Sequence, residues 1–335
     1  MSAAKLLQMS AVVIDLIHRV EAMPRAGEEA TVDDCVITAG GGFNAMIAAK
    51  CAGMEVAYGG AHGTGLFADM VRRDLRVASI PLLQAQSTRD DQGHCVVLVD
   101  RRGERSFISR EGADGMLDRD QIDAIDPAGF DWILLSGYGL AHAGSREALH
   151  DWVADLPPGP RLVFDPSPVV AAIPEYILAR AVAGASWISA NADEAARLSG
   201  AVTAEAACAA LAARVETKNG GVIVRCGSAG CWVARQDGVP DHVPGFVVDP
   251  FDTNGAGDTH IGAFMAALDS ADDAVEAARY ANAAAALSTT RLGPATAPTD
   301  SETRNFMNRR PNPEAGDRAR QGGVGAHALK SVWPQ

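Results

Sequence analysis

Asp252-Thr253-Asn254-Gly255-Ala256-Gly257-Asp258 runs directly into Thr259-His260-Ile261-Gly262-Ala263-Phe264-Met265-Ala266-Ala267-Leu268. Small residues end a loop, a carboxylate follows, and a helix opens whose turns carry Ala, Gly and Leu. Such a junction gathers backbone N–H groups without partners and the positive end of the helix dipole at one point. That point suits an anion, and Gly255 and Gly257 let the anion come close to the backbone. An Asp in the first turn would repel a resting phosphate. It makes sense if it faces a neutral hydroxyl whose proton must leave as charge develops nearby. Taken alone, the stretch is explained equally by an ordinary Gly-rich turn with Asp as a helix-start residue.

Upstream, from Phe130 onward, short apolar runs alternate with helical segments. Trp132 to Ser136, Leu162 to Phe164, Trp187 to Ser189 and Val222 to Val224 read as buried strands. Ser145 to Asp155, Pro174 to Ala183 and Ala204 to Glu216 read as the helices between them. This alternation predicts a largely parallel sheet with right-handed crossovers and helices on both faces. Polar residues follow each strand: Ser136-Gly137-Tyr138, Asp165-Pro166-Ser167, Asn191-Ala192-Asp193-Glu194 and Cys226-Gly227-Ser228-Ala229-Gly230. All fall on the carboxyl edge of a parallel sheet, where open α/β proteins bind ligands, and Asp258 belongs to the same edge.

The N-terminal third is less regular. Lys5 to Ile17 reads as a buried first strand ending in Asp15, which places that carboxylate at the sheet edge. Glu21 to Ala30 and Thr31 to Thr38 read as strands of a small, partly exposed sheet. Ala39-Gly40-Gly41-Gly42-Phe43-Asn44 is a second Gly-rich loop at a helix start, and Asn44 can both donate and accept hydrogen bonds. It serves equally as a flexible joint between a small sheet and the main one. Val56 to Gly60 reads as a strand and Leu66 to Val77 as a helix. Gly93 to Val99 and Glu104 to Ser109, around Asp100-Arg101-Arg102-Gly103, read as a β-hairpin that joins the small sheet as a lid. Arg110 follows it and is a candidate for a substrate hydroxyl or acid group, although arginines after strands are commonly solvated. Asp273 to Leu287 is an Ala-rich helix containing Asn282, stopped by Gly293-Pro294. Residues 309–335 are rich in Gly, Pro and Arg and read as a flexible tail.

A chain of 335 residues can bury a full core. Its net charge of −13 argues against general affinity for nucleic acid or anionic membranes. Cys35, Cys51, Cys95, Cys208, Cys226 and Cys231 form no CxxC pair and no zinc spacing. Reduced thiols in the cytoplasm are expected. No run approaches the ~20 apolar residues that span a bilayer, and no apolar core of a signal peptide precedes the first charged segment.

Four of these motifs, in order, carry a resemblance to the PfkB (ribokinase-like) carbohydrate kinases. The stretch Asp252–Asp258 matches that family's D-T-x-G-A-G-D signature, and the Gly40–Asn44 loop with its helix resembles its N-terminal glycine signature. Asn191-Ala192-Asp193-Glu194 matches its N-x-x-E motif, and Val224-Arg225-Cys226-Gly227-Ser228-Ala229-Gly230 its G-x-x-G nucleotide turn. The similarity spans about residues 5–308. It implies a three-layer α/β/α sandwich over residues 1–308, with a largely parallel central sheet and a small β-sheet lid inserted at about 16–40 and 93–110. It also implies transfer of the ATP γ-phosphoryl group to a hydroxyl, a primary one by expectation, of a sugar.

By the same resemblance, Asp258 is the general base, and Gly255, Ala256 and Gly257 form the anion hole. Asn191 and Glu194 organise Mg²⁺ through water. Asp15, Gly41 and Asn44 contact the sugar, with Arg110 beside them. Gly227, Gly230, Asn254 and Asn282 line the nucleotide pocket. Asp252, Arg291 and Gly293 fit the loop where many relatives hold K⁺, while Ala297 stands where a Ser often helps, so K⁺ dependence stays open. The lid offers a homodimer contact. Two further departures are Asn254 at the third signature position, where Thr is more usual, and Met9-Ser10 where a Gly often precedes the substrate Asp. No Walker A loop is present, so the P-loop route is excluded. A dinucleotide-binding dehydrogenase fails because its glycines should follow the first strand. The alternatives are a nucleoside kinase of the same fold and a non-catalytic nucleotide or sugar sensor, which loss of Asp258, Gly255 or Gly257 would have favoured.

Overall fold

The short apolar runs form one eight-stranded sheet in the computed structural model, which describes residues 3–102 and 104–309. The strands are β1 (Lys5–Gln8), β2 (Val12–Val20), β3 (Val32–Gly41), β4 (Glu55–Tyr58), β5 (His94–Val99), β6 (Arg105–Arg110), β7 (Trp132–Ser136), β8 (Arg161–Asp165), β9 (Trp187–Asn191), β10 (Gly221–Arg225), β11 (Cys231–Arg235) and β12 (Asp241–Val243). The large sheet has the order β12-β11-β10-β9-β8-β7-β1-β4. It is parallel from β10 to β4, with β11 and β12 added antiparallel at one edge.

Side chains alternate along each strand, so successive residues enter opposite cores. Leu6, Trp132, Leu134, Val163, Trp187 and Ile223 face one core, which also holds Met46, Phe264 and Ala281 from helices Gly42–Cys51, Ala256–Ala271 and Ala274–Ser288. Leu7, Ile133, Leu135, Phe164, Ile188 and Val224 face the other, covered by Trp152, Ile177 and Leu211 from the helices of the opposite layer. Burial on both faces explains why these strands are short apolar runs rather than alternating ones. The result is the three-layer α/β/α arrangement expected for a chain of this pattern.

A second sheet of four strands, ordered β3-β2-β5-β6, stands apart from the first. Here two readings of the sequence need correction. The run from Lys5 to Ile17 is two strands, because the chain breaks at Met9–Ala11 and β2 leaves for the small sheet. Asp15 therefore lies inside β2, opposite Thr38 of β3 and Cys95 of β5, and not at the end of a core strand. Glu21 to Ala30 forms no strand; it is the connection between β2 and β3. The expected hairpin forms from β5 and β6, with His94 opposite Arg110 and Val99 opposite Arg105, and β5 runs parallel to β2. Arg309 closes the helix Asp300–Arg309, and the flexible tail expected beyond it falls outside the described residues.

One close approach fixes the geometry of the site. Helix Gly42–Cys51 crosses helix Ala256–Ala271 so tightly that a Cβ on Gly262 would lie 2.5 Å from the Ala45 carbonyl oxygen and 2.7 Å from the Ala49 nitrogen. Only a glycine permits that separation. The two helices carry the two Gly-rich loops at their starts, so the contact brings the loops together.

Candidate active site

Helix Ala256–Ala271 starts at Gly255, whose φ of +72° puts the chain in the left-handed region, and no side chain caps it. A Cβ on Gly255 would sit 2.2 Å from the Pro294 carbonyl oxygen, so neither the conformation nor the space admits another residue. The Ala256 amide donates to the Thr253 carbonyl at a long 3.4 Å, while those of Gly255 and Gly257 have no backbone partner among the described residues and are open to an anion. Gly257 differs from Gly255. A Cβ there would meet nothing closer than the Arg225 guanidinium, at 3.8 Å. The missing side chain leaves a cradle with amides on one side and a cation on the other.

Asp258 follows in the same turn and is half-buried. Its carboxylate accepts a hydrogen bond from the Asn44 amide at 2.9 Å, a contact between the two Gly-rich loops. Desolvation raises its pKa to about 6; the Asn44 hydrogen bond and the Arg225 charge oppose that rise, and the Asp165 charge adds to it. Asp15 stands close by in the small sheet, raised to about 7 by desolvation and then by the charge on Asp258. Its carboxylate lies over Gly40, where any Cβ would fall 2.1 Å from an Asp15 oxygen. Gly41, with φ +60°, turns the chain from β3 into the helix. Asn44 is 4% exposed, and its Oδ1 has no partner among the described residues. An acceptor for a hydroxyl is thus held beside a carboxylate able to take that hydroxyl's proton.

The ends of β8, β9 and β10 bring a second group together. Asn191 and Glu194 close on each other as a capping box at the start of helix Ala192–Ser199. Arg225, the last residue of β10, lies 3.5 Å from Glu194 and 3.8 Å from Asp165 and donates to the Ser189 hydroxyl at 2.9 Å. Burial and the neighbouring Asp165 push Glu194 up to about 7, against Arg225, and burial raises Asp165 as well. A buried carboxylate, Glu194, and a largely buried one, Asp165, thus share one guanidinium. No three His, Cys, Asp or Glu side chains among the described residues form a direct metal site, so these two carboxylates suit a divalent cation only as partners of its bound water, its other ligands coming from phosphate oxygens. Desolvation, and then the charges of Asp165, Asp258, Cys95 and Glu194, hold the phenol of Tyr138, just after β7, at about 12.

The remaining predicted residues sit less centrally. Gly227 faces open space in the turn after β10, whereas a Cβ on Gly230 would lie 2.1 Å from the Val243 carbonyl oxygen. Asn254 donates its backbone amide to Asp252. Asn282 is buried, with Oδ1 on His260 and its amide on the Val243 and Pro244 carbonyls, so it props the edge segment beside the turn. Burial holds His260 neutral, its pKa lowered to about 3. Arg110 is not gathered into the site: it pairs with Asp90 at 3.2 Å on the surface.

In the loop expected to hold K⁺, the side chains already have partners within the chain. The Asp252 carboxylate is held by the Arg105 guanidinium at 2.8 Å and by the amides of Asn254 and Gly293. Arg291 is bonded to Glu302 and to the Thr296 and Ala297 carbonyls. Tyr138 and Asp165 were legible from the sequence only as members of the ligand-binding sheet edge, and Arg225 only as part of the nucleotide turn, without roles of their own; Arg105 was not singled out. Arg225 ends an apolar strand, and its one local signal was the following Gly-rich turn.

A family profile described as pfkB family carbohydrate kinase matches residues 3–301. The chain is 30% identical over 297 residues to an uncharacterized sugar kinase, YegV, of Escherichia coli (strain K12), covering 88% of this chain and 91% of that one. It is also 30% identical over 301 residues to an ATP-dependent ribose-1-phosphate kinase of Halopiger xanaduensis, covering 88% and 95%. Among solved structures, a ribokinase from Thermotoga maritima superposes with a TM-score of 0.78 at 25% identity, over 92% of this chain and 100% of that one. No helix among the described residues is long and apolar enough to cross a membrane.

Proposed function

The chain belongs to the PfkB family of carbohydrate kinases, phosphotransferases with an alcohol acceptor, and from that premise we propose that it moves the γ-phosphoryl group of ATP onto a hydroxyl of a sugar. The observation that carries this reading is the junction of Asn44 and Asp258 at the start of an uncapped helix. It unites an acceptor site, a base and an anion cradle within one hydrogen bond.

In the proposed reaction the acceptor hydroxyl lies between Asp15 and Asp258, with Asn44 Oδ1 and the Asp15 carboxyl fixing its orientation. Asp258 takes the hydroxyl proton as the acceptor oxygen bonds to the γ-phosphorus. The bond from that phosphorus to the bridging oxygen breaks, and ADP leaves. The amides of Gly255, Ala256 and Gly257 and the guanidinium of Arg225 face the charge that develops on the transferring group. Asp165, Asn191 and Glu194 would hold Mg²⁺ through water, and the ion would neutralise the β- and γ-phosphate oxygens. Gly227 gives the nucleotide an open edge, and Asn282 keeps that edge in place. The small sheet acts as a lid whose Asp15 face excludes water. The free cysteines support a cytoplasmic setting.

Because Asp258 must be ionised, kcat/KM is expected to rise with pH through about 6 and to level off above it, set by a carboxylate that burial holds high. A pH–rate profile flat from about pH 5 to 8 would contradict this assignment. The small sheet also presents Ile37, Leu16, Val96 and Ile108 in one row, with Ile37 and Ile108 exposed. That row supports a homodimer formed through the lid, and light scattering of the purified protein giving a monomer at assay concentration would dismiss it.

The acceptor itself is tested by ATP consumption over pentoses, ketohexoses, sugar acids, pentose phosphates and nucleosides, with Mg²⁺ present. Turnover with a sugar supports the proposal, and turnover confined to nucleosides moves it to the nucleoside-kinase reading. No turnover with any of them, alongside measurable nucleotide binding, would favour a sensor.

A further inference from the structure

Arg105 opens β6 at the end of the small sheet farthest from Asp15. Its guanidinium leaves that sheet and donates to Asp252 at 2.8 Å and to the Thr253 hydroxyl at 3.0 Å. Arg19 of β2, Val99 of β5 and Arg105 of β6 are partners across the sheet, so the two arginines lie in one row on one face. Arg19 places its guanidinium over the ring of Phe251, 5.9 Å from its centroid. One end of the small sheet therefore grips residues 251–253, two residues before the anion cradle begins, while the row carrying Asp15 stands over Asp258.

Asp252 is the hub of this contact. It is 8% exposed, and its oxygens accept from Arg105, from the Asn254 amide and from the Gly293 amide. The carboxylate ties the loop before Gly255 to the loop after helix Ala274–Ser288, which the Phe251 and Asp252 amides also join by donating to the Thr289 carbonyl. A buried carboxylate needs a positive partner, and here the chain supplies one.

We infer that Arg105 is a positioning residue: it clasps the loop that feeds the anion cradle and brings there the positive charge that a monovalent cation would otherwise provide. Two consequences follow, the second of which rests on the kinase reading above. Asp252 has no use for K⁺ while Arg105 is in place, and the position of the small sheet over the acceptor is coupled to the shape of the cradle.

The test compares wild type with Arg105→Gln and Arg105→Lys in KCl and in choline chloride at equal ionic strength. Thermal unfolding needs no acceptor. Wild type and Arg105→Lys are expected to melt alike in the two salts, and Arg105→Gln to melt higher in KCl. In turnover assays with the acceptor found by screening, wild type is expected to be indifferent to K⁺. Arg105→Gln in choline chloride is expected to lose about ten- to a hundredfold in kcat, the size of one lost charge-assisted hydrogen bond, with partial recovery in KCl and little change in nucleotide KM. Wild type stabilised or activated specifically by K⁺ would overturn the inference. So would Arg105→Gln with unchanged melting and turnover in both salts. Failure to find any acceptor removes the kinase reading alone, because the unfolding arm still decides whether Arg105 stands in for the cation.

Discussion

Asp258→Asn is expected to lower kcat by about a hundred- to ten-thousandfold, the usual contribution of a positioned general base, while ATP binding measured by calorimetry stays near wild type. The substitution keeps the shape of the side chain and can still accept the hydrogen bond from Asn44, so the two loops remain joined. What disappears is the group that takes the proton. Stability should move in the opposite direction. Burial raises Asp258 from an ordinary 3.8 to about 6, so between those values the folded protein binds the proton more tightly than the unfolded chain does. The wild type consequently loses stability as pH rises through that window. Removing the charge should stabilise the variant by on the order of 2 kcal/mol above about pH 7, with the gain vanishing near pH 4. A variant that turns over like wild type would take Asp258 out of the base role. One that is inactive but also less stable at neutral pH would mean that the carboxylate holds the fold.

Gly257→Leu is expected to reduce kcat by about a hundred- to thousandfold, as loss of an anion-hole donor does, and to leave the melting temperature close to wild type. The contrast with Gly255 makes this a clean experiment. Gly255 has a positive φ and a carbonyl against its missing side chain, so a substitution there deforms the loop. At Gly257 the added carbon meets no backbone, only the Arg225 guanidinium at 3.8 Å. The leucine therefore fills the space between the helix start and the guanidinium, where the transferring group would lie, and the helix tolerates it. Unchanged kinetics would show that the phosphoryl group travels by another route.

The sequence made some of this legible and hid the rest for identifiable reasons. Trp132 to Ser136 and Val222 to Val224 were readable as strands because burial on both faces leaves an uninterrupted apolar run between turn residues. The loops at Gly40–Asn44 and Asp252–Asp258, ambiguous one at a time, were readable because both open helices and both match one family's motifs in order. Asp15 was misplaced because Met9–Ala11 contains neither Gly nor Pro, so nothing local marks where β1 ends and β2 turns away. Glu21 to Ala30 has no apolar alternation to make a strand, and its neighbours' small-sheet character was extended over it. Arg105 and Arg225 were given no role of their own because their partners, Asp252 in one case and Asp165 and Glu194 in the other, lie far away in the chain. No spacing rule connects such residues. Arg110, five positions from Arg105 on the same strand, was the arginine the sequence suggested, and a surface aspartate holds it instead.

The parallel pairing of β2 with β5 carries a consequence for how the protein is assembled. These strands are separated by β3, a helix, β4 and a second helix, so their union closes a long loop at a cost in chain entropy. Its own apolar cluster is slight, with Ile17, Val97 and Val99 as the buried members. A unit held by such a long-range pairing, with so little interior of its own, can come loose first, without unfolding the frame beneath it.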